Sequence, residues 1–153
     1  MNEFEAKIQT LKLVLPPPPK PVGSYRPVMI HGNTAYMSGQ IAKAADGTIH
    51  VGKVGSEIDL AAAQKASRVA AINVIAVIRD LIGFDKFDRF VRVAGFVQCA
   101  PNFYDISSVM NPASDLFIEV FGDRGIHTRT SVGMASLPLN SAVEIEATIA
   151  LKS

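Results

Sequence analysis

Tryptophan is absent, and only three tyrosines and three histidines occur in the 153 residues. Grooves that hold single-stranded nucleic acid stack its bases on aromatic side chains above a basic track. A formal net charge of +1 and so few polar aromatics provide neither part, so nucleic acid is not an expected partner. A single cysteine, Cys99, excludes an intrachain disulfide and fits a reducing compartment. His31, His50 and His127 show no i,i+4 spacing of the kind that holds a metal, so none is expected. The opening MNEFEAKIQT is charged and has no apolar signal core, and no uninterrupted apolar run approaches a membrane span. These absences point to a cytoplasmic location with no membrane partner.

What is present is apolar for a chain outside a membrane: 48% of residues are hydrophobic. A subunit interface would bury surface that a monomer leaves wet. The length fits one domain burying about two-thirds of its unfolded surface. Residues 1–20 form an expected N-terminal helix and Pro-rich spacer, and 21–153 one domain. In the first part Phe4, Ile8, Leu11 and Leu15 have helical spacing, so a helix is expected over Asn2–Leu15 with Asn2 as cap and Glu5 as its capping-box partner. Pro16–Pro19 then impose an extended spacer.

In the main part, two short runs around Gly32-Asn33 predict a hairpin that ends in Ser38-Gly39-Gln40-Ile41. Ala42–Gly55 reads as a loop or loose hairpin, and its Gly52-Lys53-Val54-Gly55 lacks the rest of a phosphate-loop pattern. A long helix is predicted from Leu60 to Leu81 with Gly83 as its stop, placing Gln64 and Asn73 as surface or capping residues. Phe87–Cys99 alternates with apolar residues on both faces, as a central strand does. Val91, Val93, Gly95, Val97 and Cys99 would share one face. Pro101–Pro112 reads as a loop, and Ser114–Phe121 as a second helix. The order hairpin, helix, strand, helix, two strands implies an α+β domain with two helices on one face of a mixed sheet.

The last stretch, Gly125–Ser153, reads as two strands joined by the Leu137–Ser141 turn. His127, Arg129, Ser131 and Gly133 fall on one face of the first. In the second, Val143, Ile145, Ala147 and Ile149 alternate with Glu144, Glu146 and Thr148. If the two strands are neighbours, Arg129 and a glutamate share a polar face. Arginine is suited to gripping a carboxylate with two hydrogen bonds, and glutamate to deprotonating a water. The same residues also suit a solvated face with cross-strand ion pairs.

The run Arg129-Thr130-Ser131-Val132 through Leu137-Pro138 to Glu144-Ile145-Glu146-Ala147 resembles the C-terminal signature of the RidA/YjgF family. Gly23-Ser24-Tyr25 and Ser38-Gly39-Gln40-Ile41 resemble two further family motifs, with Ser24 where the family carries proline. Together the likeness spans roughly Val22 to Lys152, on the side of the longer branch described as endoribonuclease L-PSP. It implies a chorismate-mutase-like fold assembled as a homotrimer, with clefts between subunits and no cofactor. It further implies hydrolytic deamination of 2-imino acids to 2-keto acids and ammonia. Arg129 would clamp the substrate carboxylate and Glu144 activate the water. Tyr25, Ser38, Gly39 and Ser131 would line the pocket. Ser131 stands where compact members have cysteine, which removes any role that needs a thiol. The alternatives are a non-catalytic module that binds small carboxylates and, more remotely, an endoribonuclease.

Overall fold

The computed structural model describes residues 1–17, 20 and 23–153, so the expected Pro16–Pro19 spacer lies partly outside the described residues. Helix α1 (Glu3–Thr10) begins where the Asn2 side chain accepts from the Phe4 N–H at 2.8 Å. It buries Phe4 and Ile8 and stops at Thr10, not Leu15. Lys12 then takes φ 53, and Leu11, Leu13 and Leu15 pack on the core while Val14 is exposed. Leucine at every second position is extended-chain spacing, and it overrides the i,i+4 reading of Leu11 and Leu15.

Strands β1 (Val28–His31) and β2 (Thr34–Met37) form the expected hairpin, with Gly32 at φ 57 in its turn. After Ser38-Gly39, β3 (Gln40–Ile41) continues along the same partner as β2, the last strand of the chain, β6 (Val143–Leu151). From Tyr36 to Gln40 is four steps, yet their partners Thr148 and Ile145 are only three apart. The extra residue is a bulge at Met37-Ser38-Gly39, and bulges re-aim the side chains around them.

Helix α2 (Leu60–Val77) starts on the Asp59 carboxylate, which accepts from the Ala62 N–H at 2.8 Å. A wider helical turn, Ile78–Ile82, carries it to Gly83 at φ 92, so the expected span and stop are both observed. By length and composition this helix is apolar enough to cross a bilayer. Its Ala63, Ala66, Ala70, Ala71, Val74 and Ile75 are instead fully buried against the protein's own core. Asn73, expected as a surface or capping residue, is only 7% exposed and donates to the Ile41 and Lys43 carbonyls, fastening the segment after the bulge.

Strand β4 (Phe87–Gln98) is central, as expected, but its faces are not a strict alternation. Between Phe90 and Arg92 two steps on β4 match one on β6, so Val91 is an extra residue and is exposed. Phe90, Val93 and Val97 share the buried face across that bulge, correcting the expected grouping of Val91 with Val93.

Helix α3 (Ile106–Phe121) begins two turns before the expected Ser114 and runs through Pro112. Proline has no N–H to give the carbonyl four residues back, and that loss normally breaks a helix. Here the orphaned carbonyl is Ser108, and the Gln64 side chain of α2 donates to it at 2.9 Å. Gln64, read from sequence as a surface or capping residue, repairs the break across the helix pair.

After α3 comes β5 (Thr128–Met134), which pairs with β4 in parallel. The sheet order is β1-β2-β6-β4-β5, and β4–β5 is its parallel pair. This corrects the expected C-terminal hairpin: β5 and β6 are not neighbours, because β4 lies between them. The long apolar β4 can satisfy both partners only from the middle, where its Val93, Ala94 and Val97 become buried. Helices α2 and α3 pack on each other and cover one face. Val143, Ile145, Ala147 and Ile149 of β6 point into that core. The opposite face carries Met29, Tyr36 and Val132, each at least 40% exposed.

Candidate functional site

The residues predicted for the site fall into two groups on opposite faces of the sheet. In register, Val93 of β4 pairs with Arg129 on one side and Ala147 on the other. Residues directly opposite in a sheet point to the same face. Arg129 therefore shares the helix-covered face with buried Val93 and Ala147. Phe96 pairs with both Val132 and Glu144, which places Glu144 on the open face. Within one chain the expected meeting of Arg129 and Glu144 on a shared polar face does not occur.

Arg129 reaches from the edge strand β5 over α3. Its Nη1 donates to Ser114 Oγ and its Nη2 to Asn111 Oδ1, both at 3.0 Å. Asn111 and Ser114 are three residues apart and so lie on one helical face, a spacing that the reading of Pro112 as a helix break concealed. His127, two residues before Arg129 on the same side of the chain, lies 2.9 Å from Ser114 Oγ through Nε2 and 2.6 Å from the Gly125 carbonyl through Nδ1. Burial pushes the His127 pKa down; the Gly125 carbonyl opposes this and the Arg129 charge adds to it. Among the described residues, no carboxylate lies within 4.0 Å of Arg129. The guanidinium is steered by neutral groups alone. Ser131 lies on the same face, with its Oγ buried and unbonded.

The second group gathers around the bulge. Ser38 Oγ donates to the Arg26 carbonyl at 2.6 Å and its N–H to the Pro27 carbonyl at 2.8 Å, which holds the Tyr25 segment beside β2. Tyr25, Arg26, Met29, Tyr36, Ser38 and Glu146 line an open cleft of about 590 Å³. Glu144 lies one pleat further along β6, folded against Gly39. A Cβ on Gly39 would collide with its carboxylate and stand 3.1 Å from its Cγ, so glycine is what lets Glu144 lie down there. Burial is the first cause that raises the Glu144 pKa, and the neighbouring Glu146 charge the second. A half-buried carboxylate of raised pKa is suited to taking a proton near neutral pH. Tyr25, Ser38, Gly39 and Glu144 thus share one face, and Arg129 and Ser131 the other. Sequence reasoning passed over Glu146, Asn111, Ser114 and the partners of His127. The signal for Glu146 was its place on the Glu144 face; the others needed the course of α3.

A single mixed sheet with two helices on one face and an open, acid-bearing face opposite defines an α+β class of protein. The family model for "YjgF/chorismate mutase-like, putative endoribonuclease" matches residues 5–149, and the chain belongs to that family. A crystal structure of an Agrobacterium tumefaciens protein of unknown function has 38% identity and a TM-score of 0.87, covering 98% of this chain and 94% of that one. Protein TCP17 of Trypanosoma cruzi is 34% identical over 150 residues, 97% of this chain and 94% of its own. A 2-iminobutanoate/2-iminopropanoate deaminase of Dermatophagoides farinae is 28% identical over 135 residues, 88% of this chain and 91% of its own.

Proposed function

We propose that the chain is a cytoplasmic hydrolase that converts 2-imino acids to 2-keto acids and ammonia, at a cleft completed by a second copy of itself in a homotrimer. The observation that carries this is the Arg129 guanidinium: partly buried, aimed by Ser114 and Asn111, and without a carboxylate partner among the described residues. A planar fork held this way suits a ligand carboxylate. The similarity to a named imine deaminase supports the choice of substrate. The separation of Arg129 and Glu144 by the sheet supports the assembly, since a neighbour's open face can bring its Glu144 to this chain's Arg129.

Arg129 would hold the carboxylate of the imino acid, with the backbone at Ser131 beside it. Glu144 of the adjoining copy would take a proton from water as the oxygen adds to the imine carbon. Glu144 passes that proton to the nitrogen, giving a carbinolamine; as the C–N bond breaks, the hydroxyl proton also goes to the nitrogen, which leaves as ammonia, and the carbon is left as the keto carbonyl. Tyr25 and the Ser38-Gly39 backbone would close the wall. Holding a small electrophile against one water is a proximity effect that these groups can supply. The second reading, a carboxylate-binding module without turnover, needs Arg129 alone and is favoured by the serine at position 131.

The test generates imines with an amino-acid oxidase and traps what remains with semicarbazide. Wild type should suppress trapping, and Arg129→Ala and Glu144→Gln should each lose that suppression by at least 100-fold. Co-expressed as mixed assemblies, the two inactive variants should recover roughly a quarter of wild-type activity, because some clefts receive both native residues. No recovery on mixing would sink the shared cleft. A wild type no better than buffer, yet binding 2-oxobutanoate, would establish the second reading.

A further inference from the structure

The hydrogen bonds behind Arg129 form a chain whose direction is fixed at both ends. The Gly125 carbonyl can only accept, so His127 Nδ1 carries the proton that it receives at 2.6 Å. In the neutral ring Nε2 is then bare and can only accept, so Ser114 Oγ donates its one proton there across 2.9 Å. That leaves the Ser114 oxygen facing Arg129 with lone pairs only, and the guanidinium, which can only donate, fills one at 3.0 Å. Had His127 held its proton on Nε2, both ring and guanidinium would aim donors at the same oxygen.

The surroundings maintain that state. The imidazole lies beside the stacked Phe90–Phe117 pair, its centroid 5.9 and 5.8 Å from theirs. Burial there and the adjacent Arg129 charge both favour the neutral ring. Gly125 is buried, and a Cβ at that position would run into the Phe117 carbonyl, so the acceptor that sets the tautomer sits on backbone packed too tightly to shift. A buried glycine, a half-buried histidine and a helix serine thus converge on the guanidinium's inner side.

We propose that His127 is a positioning residue for Arg129, acting through Ser114, which pre-aims the guanidinium at the ligand's carboxylate. This rests on the reading of Arg129 as the carboxylate clamp. An arginine already held in its binding rotamer loses less freedom when the ligand arrives, so the chain acts on affinity without touching the ligand.

The test is calorimetric binding of 2-oxobutanoate to the full chain. His127→Leu and Ser114→Ala should each weaken binding on the order of tenfold, and the double variant should be no weaker than either single one. His127→Gln should restore most of the affinity, because its amide oxygen can accept the Ser114 proton where Nε2 did. Alongside this, ¹⁵N spectra of wild-type His127 should show the Nδ1–H tautomer and shift when 2-oxobutanoate is added. Leu and Gln variants equally weak would mean the ring merely fills space, and an Nε2–H tautomer would mean the chain does not exist; either overturns the proposal. His127→Leu binding like wild type, while Arg129→Ala does not bind, overturns it too and leaves the clamp standing. If wild type gives no binding heat, or Arg129→Ala binds unchanged, the clamp reading itself fails and this inference with it.

Discussion

Glu144 carries the clearest conflict between what the fold prefers and what the site needs. Its carboxyl is held above its usual value near 4.5 by burial and by Glu146. The folded chain therefore keeps that proton at pH values where the unfolded chain has lost it. Stability from this group is whole below 4.5 and is lost as pH rises through the folded value. Glu144→Gln, which is neutral at every pH, should consequently raise the melting temperature at pH 7 while removing the proposed hydrolysis, and should leave stability unchanged at pH 3.5. A melting temperature that falls at pH 7 would contradict the assignment of burial as the cause. His127 has the opposite sign. Its pKa is held below the usual 6.5, so its support is complete above that value and is lost as pH falls through the folded one.

At the scale of elements, the helix pair carries a part-buried polar contact within its apolar seam, apart from the exposed Arg68–Glu119 ion pair. Gln64 supplies the hydrogen bond that Pro112 cannot, and without it the Ser108 carbonyl has no helical donor. Gln64→Leu should cost about 1–3 kcal/mol by chemical denaturation, as expected for a part-buried acceptor left unsatisfied. Restoring the missing N–H with Pro112→Ala should recover part of that loss in the double variant. Additive effects would show that the two residues are not coupled. The same contact explains where the sequence was legible and where it was not. The span of α2 could be read because Asp59, an apolar stripe and Gly83 all agree locally. The first two turns of α3 could not, because the Ser108 carbonyl that Pro112 leaves open is satisfied by a residue 44 positions away on another helix. The hairpin at Gly32 was readable from its turn residues alone. Strand neighbours were not: β5 and β6 are adjacent in sequence, and only the burial demand of β4 separates them. The candidate site residues were named one by one from their motifs. Their distribution over two faces was hidden by the bulge at Ser38-Gly39 and by the position of β4.

At the scale of the whole molecule, α1 joins the core through aromatic rings rather than through the sheet. Phe4 lies 4.9 Å from Phe121, 5.5 Å from Phe84 and 5.7 Å from Phe87, centroid to centroid. Arg124 covers this cluster, its guanidinium 5.0 Å from the Phe4 centroid, and donates to the Phe87 and Asp88 carbonyls. Phe4→Ala should cost about 3–5 kcal/mol, the loss expected for a fully packed aromatic. Hydrogen exchange should then show α1 opening while α2 remains protected. If α1 stays protected in that variant, the ring cluster is not what holds it.

This arrangement also bears on the order in which the protein is made. The ribosome releases α1 long before it has synthesised Phe84, Phe87 and Phe121, so the nascent helix waits with Phe4 and Ile8 in water. So short a helix is marginal by itself. It can become permanent only after α3 has emerged, and docking α1 is then a report that the rings of β4 and α3 it packs on have come together.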